Sequence, residues 1–154
     1  MSGTGFSETT RLGVPARVAF ALLADPSTAT LIDPAIREYR PGQVPLRVGT
    51  RVQIRLRAWG LPLRAESVVR EWEDGRRMVM ESVRPARPVR VVAAHTFGPD
   101  GDGCTYTWAV DVVPTGCAGR PAAWALRRFL RGNARAQQAR FRREVERWSP
   151  EASR

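Results

Sequence analysis

The chain has 154 residues, of which 43% are hydrophobic and 26% charged, a composition typical of one globular domain. The formal net charge is +10 and all 25 basic residues are arginine, so chemistry that requires a lysine amine, such as Schiff-base formation, is excluded. GC-rich codons are the simplest explanation for the absence of lysine, and they indicate a bacterial source.

The chain opens with the pattern of one strand followed by two short helices. The first helix is expected to end before Pro26 and the second before Pro34, because a residue that precedes proline avoids the helical conformation. The predicted elements are a strand at residues 6–12 and helices at residues 16–24 and 27–32.

Strand patterns fill the middle of the chain. Residues 51–58 alternate cleanly between apolar and polar side chains, which predicts a half-buried strand. Asp74-Gly75 is a strong hairpin signal, and breaks are expected at residues 60–62 and 98–103, where glycine and proline occur. The predicted strands are residues 36–39, 51–58, 63–72, 78–83, 89–97 and 104–113, joined as an antiparallel meander.

The last predicted element is one helix over residues 121–148, about 28 residues and about 40 Å long. This length exceeds what a small bundle core needs and is right for a helix that lies across a curved sheet and closes a cavity. Residues 120–148 contain nine arginines and two glutamates, so this segment carries most of the net charge. Residues 149–154 are expected to form a frayed tail.

One face of this helix is apolar at both ends. Between the ends, the face presents Asn133, Ala134 and Gln137, where a plain core stripe would have large aliphatic side chains. Small and polar residues at that depth fit the wall of a cavity that holds a ligand or water. A surface dip in the stripe and a kink at Gly132 are the alternatives. The apolar members of the face are Ala123, Leu126, Leu130, Phe141, Val145 and Trp148.

The opposite side of the helix is rich in arginine and includes Arg128, Arg131, Arg135 and Arg142. Such a face is compatible with an acidic partner, either nucleic acid or an anionic membrane. No aromatic residues interleave with these arginines, as stacking on bases would require. We therefore favour a solvated, codon-biased surface and do not expect nucleic acid to be a partner.

Four segments, in this order, resemble the START-like (SRPBCC) helix-grip superfamily, which includes polyketide cyclase/dehydrase and lipid-transport proteins. Residues 14–25 (VPARVAFALLAD) are similar to its first helix, residues 49–51 (GTR) to a strand start, residues 99–105 (PDGDGCT) to a hairpin, and residues 128–144 to its basic last helix. The resemblance covers residues 6–148. It fails after the first helix, where the family usually has an aromatic residue and this chain has ATLIDP.

The resemblance implies an α+β helix-grip fold, in which a curved antiparallel sheet of six to seven strands wraps around the long C-terminal helix and two short helices follow the first strand. It implies one domain over residues 1–148. It also implies a cavity for an apolar ligand between the sheet and the helix. Because residues 29–34 depart from the family pattern, the pocket entrance beside them is expected to differ in shape.

His95, the only histidine, is the candidate catalytic residue. It shares strand parity with Val91, Ala93 and Phe97, so its side chain is expected to face inward. A buried imidazole can act as an acid or base on a ligand, or it can be a hydrogen-bonded core residue without chemistry. The second interpretation is the plainer one.

The candidate ligand-binding residues come from the strands and the last helix. Tyr106 and Trp108 belong to the apolar parity of the last strand, and for each aromatic residue we favour core packing over a role as a ligand platform. The full set is Trp59, Tyr106, Trp108, Leu130, Asn133, Ala134, Gln137 and Phe141.

Other kinds of site find no support in the sequence. With one histidine and no cluster of ligating residues, we expect no metal and no cofactor. Cys104 and Cys117 have no CxxC spacing and are expected to be free thiols. No basic start with an apolar run precedes the first strand, and no apolar run approaches the ~20 residues of a membrane span. We therefore expect a cytoplasmic protein without a transmembrane segment.

The favoured function is the binding of a small hydrophobic or aromatic metabolite in the cavity. The resemblance implies that such a protein is a carrier, or an enzyme with cyclase- or dehydratase-like activity on a polyketide or similar apolar substrate. Two alternatives stay open: an arginine-rich surface module for an acidic partner, and a non-catalytic regulatory interaction protein, which a filled interior would favour. The sequence gives no indication of an oligomeric state.

Overall fold

A computed structural model describes the backbone of residues 5–152 and the side chains of residues 5–148. Within that range a seven-stranded antiparallel sheet wraps one long helix, which confirms the predicted α+β helix-grip fold. The strands are β1 (Gly5–Leu12), β2 (Ile36–Pro41), β3 (Arg51–Ala58), β4 (Leu61–Glu73), β5 (Arg77–Arg84), β6 (Val89–Asp100) and β7 (Gly103–Pro114). The helices are α1 (Ala16–Ala24), α2 (Ala29–Ile32) and α3 (Gly119–Ala152).

The strand order in the sheet is β1-β7-β6-β5-β4-β3-β2, so the first two strands form opposite edges. The chain crosses from one edge to the other through α1, a 3₁₀ turn at Pro26–Thr28, and α2. In β4 the register against β5 shifts twice, between Glu66 and Ser67 and between Val69 and Glu71. Such bulges bend a strand and increase its twist, and they help the sheet to curve around α3.

Two hairpins are tighter than the sequence indicated. Residues 60–62 were expected to break the chain, but Ala58 pairs with Leu61, so the turn consists of residues 59–60 alone. Trp59 and Gly60 both have positive φ, 53° and 75°, as a two-residue type I′ turn requires. Likewise Asp100 pairs with Gly103, so the loop expected at residues 98–103 is reduced to residues 101–102.

The C-terminal helix is longer than the predicted residues 121–148. It begins at Gly119 and continues to Ala152, so residues 149–152, expected as part of a frayed tail, have helical backbone. Residues 1–4 and 153–154, which belong to the predicted domain start and tail, lie outside the described residues. The second predicted helix is split into the 3₁₀ turn and α2.

Aromatic packing fills one end of the space between the sheet and α3. Phe141 of α3 is fully buried and meets Tyr106 edge to face, with ring centroids 4.9 Å apart and planes at 78°. Phe97 stacks on Tyr106 at 4.9 Å and meets Phe20 of α1 at 5.8 Å. Pairs of this geometry each contribute about 1 kcal/mol beyond the area they bury, so this cluster anchors the C-terminal half of α3.

Two glycine substitutions should have opposite effects on stability. A Cβ at Gly103 would lie 2.2 Å from the carbonyl oxygen of Leu12, so Gly103→Ala forces β1 and β7 apart, whereas a Cβ at Gly132 meets nothing within 4 Å. We expect Gly103→Ala to lower the free energy of unfolding by about 2 kcal/mol or more, and Gly132→Ala to raise it by about 0.5–1 kcal/mol. Urea unfolding measures both free energies, and equal effects of the two substitutions would contradict the observed pairing of β1 with β7.

Candidate functional site

A cavity of about 530 Å³ lies between the concave face of the sheet and the N-terminal half of α3. Its volume is within the range of small-molecule sites. Along α3 its wall runs from Ala122 to Gln137, about 22 Å at 1.5 Å per residue. Most of the wall is apolar, with side chains that include Leu23, Ile32, Ile54, Leu56, Met78, Met80, Val91, Ala93, Leu126 and Leu130.

Trp59 lies at the open end of the cavity. It is 58% exposed, and its ring packs against Phe129 of α3 with centroids 5.3 Å apart. Arg64, Arg84 and Pro85 belong to the same wall and are exposed. The mouth is therefore bounded by the β3–β4 hairpin, the end of β5 and α3.

A polar group of three residues lies at the other end of the cavity, beside the aromatic cluster. Nδ1 of His95 is 2.7 Å from the hydroxyl of Tyr106, and Nε2 of Gln137 donates to the same hydroxyl at 3.3 Å. The amide nitrogen of Gln137 can only donate, so the Tyr106 hydroxyl accepts from it and keeps its own hydrogen for Nδ1 of His95. The hydrogen of the imidazole then lies on Nε2, where it can reach a ligand.

Burial determines the protonation of this group. His95 borders the cavity and keeps some accessible surface, but its depth in the protein lowers its pKa from 6.5 to about 4, so the ring is neutral at pH 7. Burial also raises the pKa of the Tyr106 phenol, with smaller effects from the Gln137 hydrogen bond, which lowers it, and the nearby charge of Asp33, which raises it. Both side chains are therefore uncharged hydrogen-bonding groups.

Asp33, at the C-terminus of α2, places a carboxyl group on the cavity wall. Its Oδ1 accepts hydrogen bonds from the side chain of Asn133 and the backbone N–H of Ala35, both at 2.9 Å. Burial raises the pKa of Asp33, and the Asn133 hydrogen bond, the Ala35 hydrogen bond and the charge of Arg140 oppose this in decreasing order. Sequence reasoning missed this residue because Asp33-Pro34 was interpreted only as a helix stop.

Two residues of the wall have unmet hydrogen-bonding capacity. Trp108 Nε1 and Gln137 Oε1 are buried side-chain atoms without a hydrogen-bond partner among the described residues. Buried polar atoms normally have a partner in the protein or an ordered water. Both residues belong to the cavity wall, as Asp33 does.

The structure brings most of the predicted site residues to one cavity. His95 and the predicted ligand-binding residues Trp59, Trp108, Leu130, Asn133 and Gln137 all belong to its wall. Three other predicted residues do not line it. Tyr106 lies behind His95 and Gln137, and both Ala134 and Phe141 are fully buried in the packed core.

The centre of α3 had two alternative interpretations besides a cavity wall, namely a surface dip in the apolar stripe and a kink at Gly132. The helix runs without interruption through Gly132, and Ala134 and Gln137 are only 0% and 3% exposed, so the stripe has no surface dip. Asn133 and Gln137 lie on the cavity wall, as the cavity interpretation requires. Trp148, which the sequence predicts to belong to the apolar stripe, is 42% exposed.

The arginine face of α3 differs from the expectation in one respect. Aromatic rings do lie beneath it: Arg128 lies over the exposed Trp124 at 5.6 Å, and Arg131 lies over Phe6 at 5.7 Å. These contacts hold guanidinium groups against the protein's own rings, each with a stabilisation of about 0.5–1 kcal/mol at an exposed site.

An open groove of about 590 Å³ follows β2, β3 and β4. Its lining includes four arginines and two glutamates, of which Glu38 pairs with Arg55 at 3.0 Å and Glu66 pairs with Arg51 at 2.8 Å. The cavity, with its apolar wall and few polar groups, is the better ligand site. Among the side chains of residues 5–148, no group of three or more His, Cys, Asp or Glu could hold a metal ion. No helix in the described part of the chain is long and apolar enough to cross a membrane.

The sequence profile of the family described as "Polyketide cyclase / dehydrase and lipid transport" matches residues 4–146. No curated protein sequence matches the chain. Among solved structures, the chain is similar to the Zhui aromatase/cyclase from Streptomyces sp. R1128, with 16% identity, a TM-score of 0.80 and 94% of each chain covered.

Two other solved structures are similar in the same way. A START superfamily protein from Mycobacterium smegmatis has 11% identity and a TM-score of 0.73, with 93% of this chain and 97% of that chain covered. The di-domain ARO/CYC StfQ from the steffimycin biosynthetic pathway has 13% identity and a TM-score of 0.78 over 96% of this chain. The chain spans only about half, 52%, of StfQ. At these identities the similarity concerns the fold.

The neutral His95 should make stability depend on pH. Its pKa is about 4 in the folded protein and near 6.5 when unfolded, so the unfolded chain binds more protons between these values. Stability should fall as the pH drops from 7 to 4.5, by about 2 kcal/mol from this residue. The raised pKa of Asp33 increases stability as the pH falls, but this effect is present in both the wild type and His95→Gln. Urea unfolding of the two proteins at both pH values should therefore show a smaller loss in His95→Gln, and equal losses would contradict the assignment.

Proposed function

The chain belongs to the polyketide cyclase / dehydrase and lipid transport family, and we propose that it binds a small hydrophobic or aromatic metabolite in the cavity between its sheet and α3. The family match confirms the resemblance seen in the sequence. The observation that carries the proposal is the cavity itself, about 530 Å³ in volume, with a predominantly apolar wall and one open end.

The chemistry of the wall supports an apolar ligand with one oxygen-bearing end. Aliphatic side chains, Tyr39 and Trp108 surround most of the space, and removal of apolar surface from water contributes about 25 cal/mol per Å². Charged and polar groups lie at the two ends, with Arg64 and Arg84 at the mouth and Asp33, His95 and Gln137 at the inner end. A ring system or acyl chain with a carbonyl or hydroxyl group at its inner end would satisfy both regions. A polyketide-like compound has this chemistry, and Zhui and StfQ bear aromatase/cyclase names.

The two alternative functions are less well supported. A regulatory interaction protein would not need a cavity of ligand size. A surface module for nucleic acid or an anionic membrane would need free arginines, and Arg128 and Arg131 already lie over rings of the same chain. Binding to DNA or to anionic vesicles that persisted at physiological salt would nevertheless favour the surface module.

Filling the cavity should abolish ligand binding without unfolding the protein. Ala93 of β6 lines the cavity, whereas the adjacent Ala94 points to the opposite face of the sheet. With the neutral fluorescent probe N-phenyl-1-naphthylamine, we expect micromolar affinity for the wild type and at least tenfold weaker binding for Ala93→Phe, which is about 1.4 kcal/mol. Ala94→Phe is the matched control and should bind as the wild type does.

Thermal unfolding gives an independent measure of the same binding. A ligand at about 100 times its Kd should stabilise the wild type by about 2.7 kcal/mol, and Ala93→Phe should show little of this shift. The competitors are 2-tetralone and straight-chain fatty acids of different lengths. If none of them displaces the probe or raises the Tm of the wild type, the proposed function is wrong.

A further inference from the structure

We propose that Asp33 is the catalytic base of this cavity and removes a proton from the carbon next to a ligand carbonyl. The proposal rests on the function proposed above, since it requires an apolar ligand in the cavity. It adds a reaction, enolisation of a ketone, and assigns that reaction to a residue of α2.

The geometry around Asp33 leaves one carboxylate oxygen available. Oδ1 is held by Asn133 Nδ2 and by the backbone N–H of Ala35, both at 2.9 Å. Among the described residues no hydrogen bond or ion pair reaches Oδ2, and Asp33 belongs to the cavity wall. A carboxylate that is held by one oxygen on the wall of a cavity, with its other oxygen available, is restrained for proton transfer.

A hydrogen-bond donor for the carbonyl oxygen lies on the same wall. Because Nδ1 of the neutral His95 accepts from Tyr106, the imidazole presents Nε2–H as its remaining donor. Asn133, which donates to Asp33, and Gln137, which donates to the Tyr106 hydroxyl, are one turn apart on α3, so the carboxyl group and the Tyr106–His95 pair lie on neighbouring parts of the same wall. A ligand carbonyl bound by His95 would therefore hold its neighbouring carbon on the side where Asp33 lies.

The step balances without an oxidant, a metal or a second substrate. The Asp33 carboxylate takes a proton from the carbon next to the carbonyl, and the C–H electrons form the C=C bond of an enolate. The negative charge moves to the carbonyl oxygen, where the Nε2–H of His95 stabilises it in a site of low polarity. Protonated Asp33 then returns its proton to carbon, and exchange with solvent before that return labels the ligand.

The groups that face Asp33 determine the pH at which it works. Arg140 approaches from α3 and favours the carboxylate, Asn133 of α3 and the Ala35 N–H stabilise the carboxylate through hydrogen bonds, and Tyr106 of β7 is neutral. Burial opposes all of these and raises the pKa, which makes the carboxylate a stronger base than an exposed aspartate. Asn133 is thus a positioning residue, whose loss should raise the pKa of Asp33 further.

A purely structural role is the competing explanation for Asp33. Its hydrogen bonds tie the turn after α2 to α3, and this docking needs only a hydrogen-bond acceptor at Oδ1. Asp33→Asn keeps such an acceptor and removes the base. This substitution therefore separates the two roles.

The test follows hydrogen–deuterium exchange at the carbon atoms next to the carbonyl of 2-tetralone, by proton NMR in D₂O at neutral pH. We expect the wild type to accelerate exchange about 10²-fold or more over acetate at the same concentration. Asp33→Asn should lose at least tenfold of this rate while the Kd for 2-tetralone changes less than threefold. Asp25→Asn, the same change at the C-terminus of α1, is the matched control and should keep the wild-type rate.

Asn133→Ala provides a second measurement, the pH dependence of the exchange rate. A purely structural role of Asp33 would leave this pH dependence unchanged. The exchange rate of Asn133→Ala should depend on pH with a midpoint above that of the wild type, because the hydrogen bond that stabilises the carboxylate is gone. If 2-tetralone binds and Asp33→Asn exchanges it at the wild-type rate, or if the bound wild type gives no acceleration, the inference is wrong. If neither 2-tetralone nor the other competitors bind, the proposed function itself fails, and the inference fails with it.

Discussion

A chain of two hydrogen bonds, from Gln137 to the Tyr106 hydroxyl and from that hydroxyl to His95, ties α3 to β6 and β7 where the packed core gives way to the cavity. Gln137 and Phe141 are four residues apart and share one face of α3. The helix register that makes the hydrogen bond therefore also places Phe141 against Tyr106 and Phe97. A rotation of α3 by one residue, 100°, would break the polar and the aromatic contacts together, and breaking them would leave buried polar groups unpaired.

The N-terminal half of α3 is held by the Asn133–Asp33 hydrogen bond and by Phe129 against Trp59, and small side chains elsewhere in this half leave space for the cavity. The side chains that α3 turns toward the sheet there include Ala122 and Ala125, and the sheet contributes Ala65 and Ala93. Methyl groups on both sides leave space that larger side chains would fill. The low polarity of that space then changes the chemistry of the few polar groups on its wall. Burial keeps His95 neutral and raises the pKa of Asp33, so both resist carrying charge, which is compatible with an apolar ligand beside them.

Periodicity predicted the elements of the fold well, because burial on one face leaves a direct mark in the sequence. The alternation at residues 51–58 matches β3, and the last helix was placed to within a few residues. The inward direction of His95 followed from parity alone. The alternation along a strand indicates which face of the sheet a side chain occupies, but not how deep in the protein it lies. It therefore could not separate Trp108, on the cavity wall, from Tyr106, which lies behind His95. No local pattern predicts that a helix-terminating aspartate will meet Asn133, one hundred residues later in the chain.

The site residue that sequence reasoning missed lies where the family resemblance fails. The four segments that resemble the family are the first helix, a strand start, a hairpin and the last helix, and they specify the framework. Asp33 belongs instead to residues 29–34, which depart from the family pattern and form α2 and its end. Similarity at 11–16% identity concerns the fold and not the groups on the cavity wall. The chemistry of this protein must therefore be derived from its own side chains. Among the described residues, Asp33 combines a carboxylate oxygen held by two hydrogen bonds, burial that raises its pKa, and a place on the cavity wall.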